Sequence, residues 1–246
     1  MSLTKGKTNT YFEKIKESYN YPLEKWYYPL VNSVRAEINE TRGKVLDVGC
    51  GWGIAGSPEL ACWTVEGADE VVGVDPALNS SEAPDHLDSF VSAPLSEAGL
   101  PEGHFDVAYS FMVMEHIEDP GAFFLAMRRT LRPGGSYIFM TPNPRSAFGL
   151  SVRVSKHLGK ADEIKSLLKG NGLNHELGYN LKSESEIRQY AEGFRCEFAY
   201  SEAYMSYKSY FPIVIRPIWG FLKLKRRYWK KPNSLAQLTA RCVRIE

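Results

Sequence analysis

The chain has 246 residues, enough for one substantial α/β core with an elaboration and hardly enough for two independent domains. With 43% hydrophobic and 24% charged residues and a formal charge of +1, its composition is that of an ordinary globule, not of a generally basic nucleic-acid binder. The first twenty residues carry lysines but no apolar h-region, and no run reaches the roughly 20 apolar residues of a spanning helix, so a cytoplasmic protein is expected.

In chain order, helical signals come first, over residues 11–40. Tyr11, Phe12, Ile15 and Tyr19 fall near one face, Val31, Val34 and Ile38 repeat the spacing, and NYPLEKWYYP interrupts the two stretches. Tyr11, Tyr19 and Tyr21 would either cover a ligand or pack as an ordinary amphipathic face. Short apolar runs then alternate with helical stretches: KVLDVG (44–49), EVVGVD (70–75), FDVAYS (105–110) and SYIFMT (136–141). That rhythm predicts a parallel sheet covered on both faces. The crossover helices between them lie in GIAGSPELACWTVEGA and DPGAFFLAMRRTLRPGG, the second expected to close on Arg128, Arg129 and Arg132 before a Pro133-Gly134-Gly135 stop. A further helix over 183–194 takes Ser183 or Ser185 as its N-cap, and strands over 194–200 and 235–245 close the sheet. Cys50, Cys62, Cys196 and Cys242 are widely spaced with no C-x-x-C, which predicts buried reduced thiols and neither a zinc ribbon nor a disulfide framework.

The stretch VLDVGCGWGIAG (45–56) is a strand running into a glycine-rich turn, and two registers fit it. Gly51, Gly53 and Gly56 spell the G-x-G-x-x-G of a dinucleotide site, whereas Gly49, Gly51 and Gly53 spell a G-x-G-x-G preceded by Asp47. An acidic residue ending the second strand, Asp75, suits ribose hydroxyls in either case. Trp52, inside the turn, would either roof a cofactor or pack inward.

The later residues separate the two. FDVAYSFMVMEHIEDPGAFFLAMRRTLRPGGSYIFMTPN, taken with VLDVGCGWG, resembles class I S-adenosylmethionine-dependent methyltransferases over residues 44–143. The resemblance implies a Rossmann-like, doubly wound, seven-stranded α/β sheet with an antiparallel last strand and S-adenosylmethionine as cofactor. It implies Gly49, Cys50, Gly51 and Gly53 around the methionine part, Asp47 near its amino group through backbone or water, Asp75 and Pro76 at the ribose, and Ser110 and Phe111 at the end of the fourth strand. The acidic residue that many relatives carry after the third strand is missing. Ser92 is the nearest counterpart for the adenine, and Glu97 a poorer one.

The cofactor carries the activated methyl group, so the protein has to align an acceptor and exclude water. The pair Glu115-His116 resembles the one found by the substrate pocket of ubiquinone-biosynthesis O-methyltransferases and their relatives; there an additional Glu three residues earlier can complete a divalent-metal site, but here that position is Met112 and no metal is expected. His116 would alternatively cap the following helix or pack against the sheet. His175 precedes the next helix, as a histidine often does in such enzymes, and is a further candidate base. Ser110-Phe111-Met112-Val113 stands where amine and amide methyltransferases commonly carry Asn-Pro-Pro-aromatic, which lowers the case for a nucleic-acid or protein substrate.

One methyltransferase domain is therefore expected over 1–246: an N-terminal helical cap (1–43), a cofactor-binding core (44–143), and lid insertions at 144–182 and 204–234. The reaction expected is O-methylation of a small or lipid-like molecule. Within the second insertion, residues 208–231 carry Lys208, Arg216, Lys223, Lys225, Arg226, Arg227, Lys230 and Lys231 with no acidic residue, interleaved with Trp219, Phe221 and other apolar side chains. That pattern suits peripheral contact with an anionic membrane, or a lid packed on the domain above an acidic soluble substrate. The rival functions are a nicotinamide dehydrogenase using Gly51, Gly53, Gly56 and Asp75, and a non-catalytic scaffold that binds S-adenosylmethionine.

Overall fold

The computed structural model describes residues 27–143, 145–146, 183–201 and 237–245. The first described helix, α1 (Tyr28–Thr41), has a proline in its first turn, where no N–H is needed, so it begins inside the stretch expected to interrupt it. There follow β1 (Lys44–Val48), α2 (Pro58–Val65), β2 (Glu70–Val74), a 3-10 turn (Ser80–Glu82), β3 (Ser89–Val91), β4 (Phe105–Phe111), α3 (Pro120–Thr130), β5 (Leu131–Pro142), α4 (Glu184–Tyr190), β6 (Phe194–Ser201) and β7 (Gln237–Arg244). The helix starts are fixed locally. Ser57, Asp119 and Ser183 each accept a backbone N–H from the first turn of α2, α3 and α4, each a cap of about 1 kcal/mol.

The seven strands form one sheet in the order β3-β2-β1-β4-β5-β7-β6. Strands β1 to β5 run parallel, and β7 is antiparallel to both β5 and β6, as expected. Because the chain winds outward from β1 to β3 and then starts again at β4 on the other side, the strand order reverses between β1 and β4. Such a reversal opens a crevice at the carboxyl ends of the two strands, which is where open α/β sheets bind ligands. On one face Val45, Val71, Val107, Tyr109 and Ile138 bury against α1 and α2 through Val31, Val34, Ile38, Ala61 and Val65. The other face buries Leu46, Val72, Ala108, Tyr137 and Phe139 against Phe123, Phe124 and Met127 of α3 and Ile187 of α4. Truncating any of the large aromatic side chains here would cost about 3–5 kcal/mol.

Two expectations are corrected. Helix α3 ends at Thr130, and Arg132 and the Pro-Gly-Gly sequence belong to β5. Leu131 pairs with Phe105 and pairing resumes at Ser136 with Val107, so 132–135 form a bulge. Gly135 is needed there because a Cβ would stand 2.9 to 3.2 Å from the carbonyl oxygens of Arg132, Asp106 and Phe105. The second correction concerns the cysteines. Cys196 and Cys242, set opposite each other by the β6–β7 register, form a disulfide, and Cys62 is exposed; Cys50 alone is a buried free thiol. Sequence separation hid the pair, since the two stand 46 positions apart and only the antiparallel register brings them together.

Tyr11, Tyr19, Tyr21, the 204–234 insertion and all of 144–182 except 145–146 lie outside the described residues. Among the described residues no helix is long and apolar enough to cross a membrane.

Candidate active site

The crevice is built from the turn that follows β1. Gly49 donates its N–H to Val74 O of β2 (2.7 Å), which keeps the turn level with the neighbouring strand end. Gly49, Gly51 and Gly53 all have positive φ, at 67°, 43° and 90°. Two of them are crowded: a Cβ at Gly49 would lie 2.4 Å from Val113 Cγ2, and one at Gly53 would lie 2.7 Å from Ser57 O. Gly51 is different. A Cβ there would meet nothing nearer than Asp75 Oδ2, at 3.8 Å, so the space beside Gly51 is free of protein and bordered by a carboxylate.

Gly56 separates the two glycine registers. In a dinucleotide site the third glycine lets helix and strand pack closely. A Cβ at Gly56 would meet no atom within 4 Å, so no close packing depends on it, and the turn that the fold requires is Gly49-x-Gly51-x-Gly53.

Asp75 is buried at the end of β2 and grips the turn directly: Oδ2 accepts from Gly51 N (2.9 Å) and Oδ1 from Ala77 N (2.8 Å). Pro76 follows it, exposed. Cys50 is turned inward, with its Sγ 3.2 Å from where a Cβ of Gly73 would be, and its thiol is pushed well above the ordinary range by burial first and then by the charges of Asp47 and Asp75. It therefore offers a ligand its backbone alone. Ser110 behaves the same way, its hydroxyl sharing a 2.7 Å hydrogen bond with Tyr137 in the core. Phe111 is half-buried against the α1/α2 side of the sheet. Ser92 is exposed and donates to Leu78 O at 2.5 Å, which leaves its oxygen lone pairs as acceptors. Trp52, 65% exposed, stands out from the turn and does not pack inward.

Asp47 has partners that the sequence did not disclose. Its Oδ2 accepts from Tyr109 Oη at 2.5 Å and from His86 Nε2 at 3.1 Å, and all three side chains are buried. Burial, followed by the Asp47 charge, holds the Tyr109 hydroxyl far above its usual range, so it stays a donor.

The acceptor side lies beyond β4. Met112, at φ 58°, turns the chain off the strand while its N–H still donates to Met140 O (2.8 Å), and this brings Val113 over Gly49. The structure separates the Glu115-His116 pair. Glu115 is buried in a small pocket with Thr141, Asn143, Arg145, Ile187 and Tyr200, where Thr141 Oγ1 donates to its Oε2 (2.9 Å). Burial raises its pKa to about 7, with the bond from Thr141 acting the other way. His116 is exposed, and Asp119 supplies the side-chain cap of α3 in its place. His175 lies outside the described residues. Tyr200 donates a short hydrogen bond to Glu184 at the rim of the same pocket. Thr141, Asn143, Arg145 and Tyr200 gather here because β5 and β6 end where α4 begins, which no local sequence signal announced.

A family model described as a methyltransferase domain matches residues 23–197. A ubiquinone biosynthesis O-methyltransferase of Xanthomonas euvesicatoria pv. vesicatoria is 32% identical over 141 residues, covering 53% of this chain and 58% of that protein. The protein of the same description from Idiomarina loihiensis is 34% identical over 127 residues, covering 46% and 50%. The chain thus spans about half the length of these relatives. Among solved structures, an S-adenosylmethionine-dependent methyltransferase from Mesorhizobium loti superposes with a TM-score of 0.53 at 21% identity, covering 91% of this chain and all of that one.

Proposed function

This chain belongs to the methyltransferase domain family, and we propose that it transfers the methyl group of S-adenosylmethionine to oxygen of a small molecule. The observation that carries the proposal is the empty space at Gly51 bordered by Asp75: a nucleoside can approach the backbone there, and a buried carboxylate stands where ribose hydroxyls would need acceptors. The residues fit that cofactor. When bound it supplies a sulfonium-activated methyl group.

In this reading Asp75 receives the ribose, with Pro76 beside it, and Ser92 accepts from the adenine amino group. The backbone of Gly49, Cys50, Gly51 and Gly53 lines the methionine part, with Asp47 toward its ammonium, and the ends of β4 at Ser110 and Phe111 close the inner side. Glu115 is the leading candidate for taking the proton of an acceptor hydroxyl. A carboxyl group with a pKa of about 7 is matched to that task near neutral pH, and its pocket opens beside β4. His116 and His175 are the further candidates.

The two O-methyltransferase relatives support oxygen as the acceptor atom. Residues 1–246 are proposed to act as one domain, with 1–43 as cap, 44–143 as core, and 144–182 and 204–234 as lids over the acceptor. The run of basic and aromatic residues at 208–231 supports contact with an anionic membrane surface of a cytoplasmic protein, where a lipid-like acceptor would be met. Labelled S-adenosylmethionine offered with a panel of phenolic and prenylated acceptors tests the reaction. Transfer that base hydrolysis or ether analysis assigns to oxygen supports it; label found only on nitrogen or carbon sinks the O-methylation reading. Cosedimentation with anionic but not neutral vesicles tests the surface.

A further inference from the structure

Asp47 is one residue from the glycine turn, buried, and held from two sides at the same oxygen. A carboxylate only accepts hydrogen bonds, so His86 must carry its proton on Nε2, and Tyr109 must donate its hydroxyl hydrogen. The His86 ring is 1% exposed, and its other nitrogen, Nδ1, is buried with no hydrogen-bond partner among the described residues. An unpartnered buried nitrogen is a cost, and the ring sits there despite it.

The two residues that follow the ring, Leu87 and Asp88, are anchored on β2. Leu87 lies where a side chain on Gly73 would otherwise be, since a Cβ there would come within 2.3 Å of Leu87 Cδ1. Asp88 exchanges bonds with Val71, its N–H donating to Val71 O (2.8 Å) and its Oδ2 accepting from Val71 N (2.7 Å). The segment from Asp75 to Asp88 is therefore tied to the first strand-and-turn unit near both ends: Asp75 holds Gly51 N of the turn, and His86 holds Asp47 of β1.

We propose that His86 is a positioning residue of the cofactor site, which with Tyr109 occupies Asp47 Oδ2 and so leaves Asp47 Oδ1 for the ammonium group of the cofactor's methionine part. Among the described residues no side chain bonds Oδ1. This rests on the reading of the site given above, and the role is confined to one end of the cofactor. The ribose and adenine are held from Asp75 and beyond, so His86 acts on the amino-acid end alone.

Calorimetry on the full chain with two probes tests this: S-adenosylhomocysteine, which has the ammonium, and 5′-methylthioadenosine, which lacks the amino-acid end. His86→Leu is expected to weaken S-adenosylhomocysteine by about tenfold, the lower end for removing a group that orients a primary ligand, and to leave methylthioadenosine within about twofold. His86→Gln, whose amide nitrogen can reproduce the Nε2 donor, restores the homocysteine probe, whereas the shorter His86→Asn does not. Where His86→Leu fails to fold, the Gln and Asn variants carry the same comparison. Equal losses for both probes would mean that the ring only supports the fold, and unchanged affinity for both would leave it without a role; either result overturns the proposal. If the unaltered chain binds neither probe, the cofactor reading itself has failed, and this inference with it.

Discussion

Glu115 and Asp47 are both buried carboxylates within a few ångströms of strand ends, yet their surroundings push them toward opposite uses. Asp47 receives two side-chain donors on one oxygen, while Glu115, which takes a hydrogen bond from its own backbone N–H and one from Thr141, is nonetheless raised by burial to about 7. The consequence for stability has a definite sign. Below its unfolded value of 4.5 the group is protonated in both states; between 4.5 and about 7 the folded state keeps a proton that the unfolded chain has lost. Stability from this site is thus present in full below about pH 4.5 and is lost as pH rises through about 7. Glu115→Gln removes the dependence, and denaturant titrations at pH 5 and pH 8 should show the variant gaining about 1–3 kcal/mol on the unaltered chain at the higher pH. An equal difference at both values would contradict it. If Glu115 is the base, the same variant lowers kcat by about 10²–10⁴-fold, and the rate of the unaltered chain rises with pH through about 7. Tyr109→Phe should cost about 1–3 kcal/mol by thermal unfolding, since it takes a donor from a buried charge. Asp75 and the three glycines were legible in the sequence because they are neighbours of strands that announce themselves. His86 was not, because its bond to Asp47 spans 39 residues and depends on how the chain returns from β2 to β3.

The glycine turn and the loop after β4 form one unit, because Val113 fills the space that a side chain at Gly49 would need. Gly49→Ala should therefore destabilise the fold through both its positive φ and a 2.4 Å clash. Val113→Ala made in the same chain should recover about 1 kcal/mol, a coupling that a double-mutant cycle reads directly. Additive costs would separate the two loops. Gly56→Ala keeps only the φ term, about 1 kcal/mol, with unchanged cofactor affinity. The parallel strands were readable because strands buried on both faces are contiguous apolar runs, and the cap at Ser183 was readable from residue type; the caps at Ser57 and Asp119 carry the same residue-type signal but were not singled out. The Pro133-Gly134-Gly135 sequence misled for a physical reason: the same residues that stop a helix also make a bulge, and only pairing with β4 decides between them. The Cys196–Cys242 bond was hidden in the same way, by a register that no local signal carries.

At the scale of the whole molecule, two helix layers clamp a sheet whose strand order reverses between β1 and β4, and Gly51, Asp75 and the Glu115 pocket all lie at carboxyl ends around that reversal. A ligand bound there ties together strands from both halves of the sheet, so S-adenosylhomocysteine at about 100 times its Kd should raise stability by about 2.7 kcal/mol. Calorimetric titration of the full chain with S-adenosylhomocysteine and, separately, with NAD is the most direct test of the cofactor assignment, repeated on Asp75→Ala and Gly51→Val with folding verified. S-adenosylhomocysteine is expected to bind, and NAD to give no heat. Loss of the ribose acceptor weakens the former by about 10–100-fold, and a side chain in the space beside Gly51 weakens it at least as much. Binding of NAD without S-adenosylhomocysteine, or affinity for the latter that is unchanged in both variants, would contradict it.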